Sequence, residues 1–255
     1  MHYKVALVTG ASAGFGFAIC KALVDDGLKV IALARRKDKL LALKKELGDN
    51  LEIIASDVCD INNIKGQIQR LDAKFQDIDV LVNNAGLALG LDKLQDLDLS
   101  DIDTMINTNI KGLVYLTNLL LPKMLERNKG YIVNIGSTAG DWPYVGGNIY
   151  GATKAFVAQF SRNLRTDVHG SAIKVTCIKP GLCSDTEFSY VRFKNDESKV
   201  KATYDDVEAI KPDDIASMVS YLVSLPYHVN VNELEMMPVA QSFGGLSVKK
   251  GNIFK

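Results

Sequence analysis

The sequence has little that is typical of membrane, nucleic-acid-binding or metal-binding proteins. Its 255 residues contain no apolar run near the ~20 residues that a membrane helix needs, and they begin without a signal-peptide pattern. The 30 basic and 30 acidic side chains balance, which excludes the positive surface expected of a protein that binds nucleic acid or an anionic membrane.

Cysteine and histidine are also scarce, with four and three residues respectively. The cysteines form no CxxC pair and have no clustered histidines, so we expect no metal site and reduced thiols in a cytoplasmic protein. They are Cys20, Cys59, Cys177 and Cys183. Because Cys183 falls in a predicted loop near the site described below, we expect it to be the most exposed and reactive of them.

The first pattern present is a buried strand that leads directly into a glycine-rich loop. Lys4 to Thr9 is mostly apolar, and GASAGFG follows before the apolar-periodic helix Phe17 to Val24. Such glycines allow backbone to approach a phosphate, and the helix N-terminus supplies N–H donors. The alternative is a tight strand-to-helix turn without a ligand. The predicted contacts are Gly10, Ala11, Ser12, Ala13, Gly14, Phe15 and Gly16.

The end of the second strand, Lys29 to Leu33, indicates which dinucleotide would bind. A carboxylate that would hold a ribose 2′-hydroxyl is replaced there by Ala34, followed by Arg35 and Arg36. Two guanidinium groups suit a 2′-phosphate, so NADP is favoured over NAD. The alternative is a solvated basic turn that begins the next helix, Lys37 to Leu47.

The third and fourth strands, Leu51 to Ala55 and Val80 to Val82, end in further polar residues. Asp57 and Val58 follow the third strand, where an adenine would rest, although Asp57 could equally cap a helix. After the fourth strand, Asn84, Ala85 and Gly86 could let a ribose or nicotinamide come close.

A long helix is predicted from an N-cap at Ser100 to Arg127, with Pro122 ending or kinking it. Asn109 occupies an interior position of this helix, where a buried amide must find hydrogen-bond partners. It would either brace the helix or hold a water molecule behind a catalytic lysine.

The residues around which the chain is organised follow the fifth strand, Tyr131 to Ile135. Ser137 comes at the end of this strand, and Tyr150 and Lys154 lie one turn apart on a predicted helix, Ile149 to His169. A nearby ammonium favours the phenolate, and such a tyrosine can exchange a proton with an alcohol or carbonyl near neutral pH. A YxxxK spacing also occurs in helices by chance.

The remaining pattern completes a series of six or seven strand–helix units, which predicts one doubly wound α/β domain. Lys174 to Ile178 is the sixth strand, a helix begins at Pro212, and Leu234 to Met237 is the seventh strand. Between them, an irregular segment extends to about Asp205. We expect residues 186–210 to act as a substrate lid.

Several of these motifs, in this order, resemble the classical short-chain dehydrogenases/reductases from Val5 to about Met237. The motifs are TGASAGFG, NNAG, Asn109 with Gly112, Ser137, YGATK and Pro180-Gly181. The resemblance implies a single Rossmann-type domain over residues 1–255, with a seven-stranded parallel sheet flanked by helices. NNAGLALG, the segment from Asn128 to Phe156, PGLCSDTEFSYVRFK and NELEMMPVAQSF are similar to the NADP-dependent 3-hydroxy acid dehydrogenases, also described as serine or allo-threonine dehydrogenases and malonic semialdehyde reductases.

The resemblance implies roles for individual residues. Tyr150 would be the general acid/base, Ser137 would hold the substrate oxygen, Lys154 would lower the tyrosine pKa and bind the nicotinamide ribose, and Asn109 would support a water relay. Further cofactor contacts would come from Pro180, Gly181, Cys183 and Thr186, although this threonine is one residue later than usual and Phe15 replaces the usual isoleucine. Members of the family are commonly homotetramers built on the two long helices.

A substrate carboxylate requires a cation, for which Arg192 is the candidate. Alternatively, Arg192 pairs with Glu187 or Asp196. Other activities that remain open are reduction of larger carbonyls, such as 3-oxoacyl thioesters, sugars or dicarbonyls, and a non-catalytic role as an NADP-binding sensor. The tail, residues 238–255, would either pack on a neighbouring subunit or fray.

Overall fold

The computed structural model describes residues 2–244, which form a seven-stranded parallel sheet with helices on both faces. The sheet has the strand order β3-β2-β1-β4-β5-β6-β7, so the order reverses between β1 and β4. The strands are β1 (Val5–Thr9), β2 (Lys29–Ala34), β3 (Leu51–Ala55), β4 (Val80–Asn83), β5 (Gly130–Ile135), β6 (Ile173–Pro180) and β7 (Glu233–Met236). This confirms the doubly wound fold, in which ligands bind beyond the carboxyl ends of the strands at the reversal.

The helices of the described residues alternate with these strands along the chain. They are α1 (Gly14–Asp25), α2 (Lys37–Leu47), α3 (Ile61–Arg70), α4 (Leu99–Ile106), α5 (Leu113–Glu126), α6 (Asn148–Asp167), α7 (Phe188–Arg192), α8 (Glu197–Tyr204) and α9 (Pro212–Ser224). A π-helical turn, Asn107–Gly112, joins α4 to α5.

Alternating side chains of the central strands enter two separate cores. Val30 and Ala32 face the core formed with α1 and α9, whereas Ile31 and Leu33 face the core formed with α3, α5 and α6. Strands buried on both faces have continuous apolar sequences rather than an alternating pattern. This burial on both faces fixes the position of each strand in the sheet, and the polar loops of the site extend from the carboxyl ends of these strands.

The predicted N-cap of the long helix was wrong, and of the two effects predicted for Pro122, ending the helix does not occur. Its N-cap is Asp98, whose carboxylate accepts the Ser100 backbone N–H at 2.8 Å, so the helix begins at Leu99. An ionised carboxylate is a strong acceptor at the positive end of a helix, and it takes the place that we assigned to the Ser100 hydroxyl. Pro122 lies within α5, which continues to Glu126, because its exposed position leaves the unpaired carbonyl one turn earlier accessible to water.

The segment predicted to be irregular contains two short helices, α7 and α8. Asp196 caps α8 by accepting the backbone N–H groups of Ser198 and Lys199. The two ends of the segment are held together, because Ile210 N–H donates to Leu182 and the Ser184 N–H donates to Ile210. The segment therefore leaves the sheet after β6 and returns to a point beside its own start. The later part of the tail, residues 245–255, lies outside the described residues.

Candidate active site

The glycine-rich loop after β1 has the backbone conformation that only glycine adopts easily. Gly10 and Gly14 have φ values of 67° and 52°. A Cβ on Gly16 would stand 2.4 Å from the Gly10 carbonyl oxygen, so this loop needs glycine there as well. No side chain caps the start of α1, which leaves its first N–H groups available to an anion.

The loop after β4 is fixed to the same edge of the sheet. The Thr9 hydroxyl accepts the N–H groups of Asn84 and Ala85 at 2.9 and 2.8 Å, and the Asn84 amide donates to the Thr9 carbonyl at 2.8 Å. Asn84, Ala85 and Gly86 line the same cavity as Gly10 and Gly14. The structure therefore brings together the two loops that were predicted to hold a dinucleotide.

The two arginines after β2 differ in position. Arg36 lines the cavity, where its guanidinium group donates to the Ser12 hydroxyl and to both carboxylate oxygens of Glu187. Arg35 is exposed and does not line this cavity. The Arg36 side chain is therefore the better placed of the two to bind an anion beside the glycine-rich loop.

Asp57 and Val58 lie farther from the cavity. The Asp57 carboxylate accepts the Cys59 backbone N–H at 2.8 Å within the turn after β3. The N-cap of α3 is Asp60, whose side chain accepts the Asn63 N–H, so Asp57 is not the helix cap that the sequence left open. Val58 is buried and packs against Gly112 in the π-helical turn. A Cβ on Gly112 would stand 2.5 Å from a methyl group of Val58. Neither residue lines the cavity, although both remain at the carboxyl edge of β3.

Tyr150, Lys154 and Ser137 meet at the bottom of the cavity. Tyr150 and Lys154 lie one turn apart on α6, and both are buried, with 9% and 6% of their surface exposed. The Lys154 ammonium donates to the Ile135 carbonyl at 2.8 Å, and its nitrogen lies 5.8 Å from the centre of the Tyr150 ring. Ser137 follows β5 and accepts the Ala139 N–H at 3.1 Å.

Lys154 was expected to lower the pKa of Tyr150, but other groups have this effect in the structure. Burial raises the pKa of Tyr150 above its ordinary value, while the Ser137 hydroxyl and the Arg192 guanidinium group act in the opposite direction. Burial lowers the pKa of Lys154 to about 8. The Lys154 ammonium is directed at the Ile135 carbonyl. Ser137 and Arg192 are the groups that lower the pKa of Tyr150 and so favour the phenolate.

Asn109 lies in the π-helical turn and connects three parts of the site. Its amide oxygen accepts the Leu87 N–H at 2.9 Å, and its amide nitrogen donates to the Leu87 carbonyl and the Thr153 hydroxyl at 2.9 and 3.0 Å. The bracing alternative therefore has direct contacts: Asn109 ties the loop after β4 to α6, the helix that carries Tyr150.

Arg192 extends from α7 over the ring of Tyr150. Its guanidinium carbon lies 5.6 Å from the centre of the Tyr150 ring, and it donates to the Tyr144 hydroxyl and, at 3.4 Å, to the Gly90 carbonyl. Neither predicted alternative partner is used, since Glu187 pairs with Arg36 and Asp196 caps α8. Within residues 2–244 no carboxylate forms an ion pair with Arg192.

The segment after β6 completes one wall. Pro180, Gly181, Cys183 and Thr186 all line the cavity, and the Thr186 side chain packs 3.3 Å from where a Gly14 Cβ would stand. The expectation of a reactive thiol was wrong, because Cys183 is only partly exposed and burial raises its pKa to about 12. A protonated thiol is a poor nucleophile.

The cavity has a volume of about 570 Å³ and includes residues that the sequence analysis missed. Trp142 and Phe243 form an aromatic pair at its mouth, with ring centres 4.6 Å apart. The Gln241 side-chain oxygen accepts the Leu182 N–H at 2.7 Å. Thus the first part of the tail packs over the cavity of its own chain. Gln241 and Phe243 belong to the NELEMMPVAQSF segment that carried the family resemblance, but the sequence analysis assigned neither of them to the site. Trp142 and Tyr144 could have been noticed beside the Ser137 loop.

Residues 2–244 contain neither a metal-binding cluster nor a membrane-spanning helix. Among residues 2–244, no group of three or more histidine, cysteine, aspartate or glutamate side chains is arranged to hold a metal ion. None of the helices in this range combines the length and the apolar character needed to cross a membrane.

Comparison with known proteins places this site among dehydrogenases. Residues 4–197 match the short chain dehydrogenase family. NADP-dependent 3-hydroxy acid dehydrogenase YdfG from Escherichia coli (strain K12) is 55% identical over 246 residues, which cover 96% of this chain and 99% of the relative. Serine 3-dehydrogenase from Rhizobium radiobacter is 46% identical over 95% of this chain and 96% of its own length. The closed form of a serine dehydrogenase complexed with NADP+ superimposes with a TM-score of 0.95 at 55% identity, covering 97% of this chain and 100% of the other.

Proposed function

Because the chain belongs to the short-chain dehydrogenase family, we propose that it is an NADP-dependent oxidoreductase of small 3-hydroxy acids. The substrates would be L-serine, L-allo-threonine or 3-hydroxypropionate, and the reverse reaction would reduce malonic semialdehyde. The observation that carries this proposal is Arg192, a guanidinium group without a carboxylate partner in residues 2–244, above the Tyr150 ring. The similar 3-hydroxy acid and serine dehydrogenases support it.

The residues of the site fit NADP. The loop from Gly10 to Gly16 and the uncapped start of α1 suit the pyrophosphate, and Arg36, with Arg35 nearby, suits the 2′-phosphate. Asp57 and Val58 would border the adenine at the edge of β3. The remaining contacts that we propose are Asn84, Ala85, Gly86, Tyr150, Lys154, Pro180, Gly181, Cys183 and Thr186. When bound, NADP supplies the hydride acceptor or donor.

The protein supplies orientation and proton transfer. Arg192 would bind the substrate carboxylate, and the Ser137 hydroxyl would hold the oxygen on C3. In oxidation, the Tyr150 phenolate oxygen would take the hydroxyl proton, and in reduction the phenol would return that proton to the oxygen on C3. The Lys154 ammonium, which the Ile135 carbonyl holds one turn from Tyr150, would bind the ribose and add its charge to the effect of Ser137 and Arg192 on the tyrosine. Asn109 keeps α6 and the Leu87 loop in place for a water relay.

The purified protein tests this proposal when NADP or NAD is offered with each substrate and the absorbance of the reduced nicotinamide is followed. We expect reduction of NADP with L-serine, L-allo-threonine and 3-hydroxypropionate, and little with a simple secondary alcohol. Turnover with NAD alone would contradict the role of Arg36. Reduction of uncharged carbonyls without turnover of any acid would leave the family mechanism but contradict the substrate class.

We also propose that the protein is a homotetramer. Five large apolar side chains on α4, α5 and α6 are exposed, which is typical of a surface that packs against another subunit. They are Leu99, Ile106, Tyr115, Leu125 and Phe156. Light scattering should give the mass of four chains. Phe156→Glu should reduce this mass, whereas Leu41→Glu, a matched change on α2, should not. A monomeric wild-type protein would contradict the proposal.

We propose a cytoplasmic location from the state of the thiols. All four cysteines are free, and Cys20 and Cys177 are fully buried. Burial raises the pKa of Cys177 to about 11, which keeps it protonated and unreactive. Recovery of the protein in the periplasmic fraction of cells would contradict this location.

A further inference from the structure

The Arg36 guanidinium group is already occupied by a lid residue. Its Nη1 and Nη2 atoms donate to the two oxygens of Glu187 at 2.9 and 2.6 Å, and its Nε and Nη2 atoms donate to the Ser12 hydroxyl at 3.2 and 2.9 Å. These four hydrogen bonds use all but one of the five N–H groups of an arginine. A phosphate that binds Arg36 through two parallel hydrogen bonds must therefore displace one of these partners.

Glu187 is the partner that can leave. Both members of the pair are about half exposed, at 41% and 49%, and ion pairs of this kind are weak and easily reversed. A phosphate carries more charge than a carboxylate and has three acceptor oxygens rather than two. It is therefore the stronger ligand for the guanidinium group of Arg36. Ser12 belongs to the glycine-rich loop and can remain in place while the phosphate binds.

The position of Glu187 connects this exchange to the substrate side of the cavity. Glu187 immediately precedes α7, which carries Phe188 and Arg192. The Phe188 ring lies 5.6 Å from the ring of Tyr150, and Arg192 lies over the same tyrosine. The Arg36–Glu187 pair therefore joins the 2′-phosphate region to the helix proposed to bind the substrate carboxylate.

We propose that the Glu187 carboxylate is a placeholder for the cofactor 2′-phosphate, and that the phosphate releases α7 when it displaces Glu187 from Arg36. This inference rests on the proposed NADP dependence. A dinucleotide without the 2′-phosphate leaves the pair intact, so Glu187 raises the cost of binding only for the phosphorylated cofactor and lowers the selectivity that Arg36 would otherwise provide. It also makes the position of α7 depend on which dinucleotide is bound.

Equilibrium titrations with NADPH, NADH and 2′,5′-ADP test the inference without turnover. Glu187→Gln keeps the shape of the side chain but removes its charge. Glu197→Gln is the matched control, because it removes the same charge from an exposed lid residue with no ion pair in the described part of the chain. We expect Glu187→Gln to bind NADPH and 2′,5′-ADP about 2- to 5-fold more tightly, as expected for a surface pair, with NADH and the control unchanged.

Each outcome of the titrations separates this inference from the proposed function. A wild-type protein that binds NADPH no more tightly than NADH would overturn the NADP dependence and the placeholder with it. If wild type prefers NADPH and Glu187→Gln binds it equally or more weakly, the inference alone falls, because Glu187 would then remain on Arg36 in the complex.

Hydrogen exchange of the amides in residues 187–193 gives a second measurement. Adding 2′,5′-ADP to the wild-type protein should increase their exchange rate, since this ligand displaces Glu187 but does not reach the nicotinamide side. Glu187→Gln should show the faster exchange before ligand is added. Unchanged exchange in the wild-type protein on adding 2′,5′-ADP would contradict the release of α7.

Discussion

Tyr150 combines burial with two polar neighbours that favour its ionised form. Burial raises its pKa, and the Ser137 hydroxyl and the Arg192 guanidinium group oppose that effect. Lys154 is directed towards the Ile135 carbonyl at 2.8 Å. At the residue scale, the same Arg192 is thus placed both to bind a substrate carboxylate and to adjust the proton affinity of the catalytic phenol.

This arrangement predicts the pH dependence of the two directions of the reaction. Oxidation uses the phenolate, and the raised pKa of Tyr150 keeps the phenolate a minority species near neutral pH. The rate of oxidation should therefore rise by up to about 10-fold per pH unit from neutral pH to about pH 8. Above about pH 8 the rise should become less steep, because burial lowers the pKa of Lys154 to about 8 and its ammonium loses its proton there. Reduction, which uses the phenol, should stay level over the lower part of this range. Initial rates in both directions across this range would measure the difference.

Two variants identify the groups that set the pH dependence of oxidation. Tyr150→Phe should lower the rate about 100- to 10,000-fold and remove the rise with pH. Arg192→Gln, assayed with an uncharged alcohol, should move the rise to higher pH because the guanidinium group no longer lowers the tyrosine pKa. An alkaline rise that persists in Tyr150→Phe would assign the titration to another group.

At this scale, local spacing was enough to find Ser137, Tyr150 and Lys154, because sequence neighbours on a strand end and a helix turn remain neighbours in space. The environment of each group was not predictable in the same way. Lys154 was expected to act on the tyrosine directly, but its hydrogen-bond partner is the carbonyl of Ile135, 19 positions earlier at the end of β5. The pairing of Glu187 with Arg36, 151 positions apart, likewise has no local signal.

At the scale of elements, the π-helical turn is where the helix that carries Asn109 departs from regular geometry, a feature often found at functional sites. Asn109→Ala would leave the Leu87 backbone groups without their partners. We expect the free energy of unfolding to fall by about 1–3 kcal/mol and turnover to fall with it, because α6 loses its brace. Thermal or urea unfolding together with kcat measures both effects.

Asn62→Ala is the matched control for this change. Asn62 is exposed on α3, away from the helices proposed to form the subunit interface. Its removal should alter stability by less than about 0.5 kcal/mol and leave kcat unchanged. Equal losses in the two variants would mean that Asn109 has no special role in holding the site.

Predicting the elements from sequence worked best where a strong periodic pattern had clear ends. Lys37–Leu47 was predicted with the bounds that the structure has, since Gly48 follows the last apolar position with φ 67°. The start of α4 was misplaced because Asp98 and Ser100 are both good caps, and sequence does not decide between them. The π-helical turn follows from packing of Asn109 and Gly112 against other elements.

At the scale of the whole molecule, the cavity is closed by parts of the chain that are far apart in sequence. The tail returns from β7 so that Gln241 accepts the Leu182 N–H, and Phe243 packs on Trp142. The order of the motifs along the chain predicted the parallel sheet and the edge at which the site lies, because each motif follows the carboxyl end of one strand. It could not place the tail, which has no periodic pattern and depends on the finished surface.

Gln241→Ala tests whether the tail contributes to the site. Loss of one hydrogen bond to the loop after β6 corresponds to about 1 kcal/mol, so kcat/KM for a 3-hydroxy acid should fall by about 5-fold. Gln69→Ala, an exposed change on α3, should have no effect on kcat/KM. If Gln241→Ala matches wild type, the tail covers the cavity without supporting catalysis.

The central claim is that this dehydrogenase recognises the carboxylate of a small 3-hydroxy acid through Arg192. The most direct measurement is the ratio of kcat/KM for 3-hydroxypropionate to that for its uncharged amide, in wild type, Arg192→Gln and Arg70→Gln. Arg70 is exposed at the end of α3 and controls for the loss of a positive charge. Charge-assisted hydrogen bonds predict a preference for the acid that falls roughly 10- to 100-fold in Arg192→Gln alone. A ratio that is the same in all three proteins would contradict the claim.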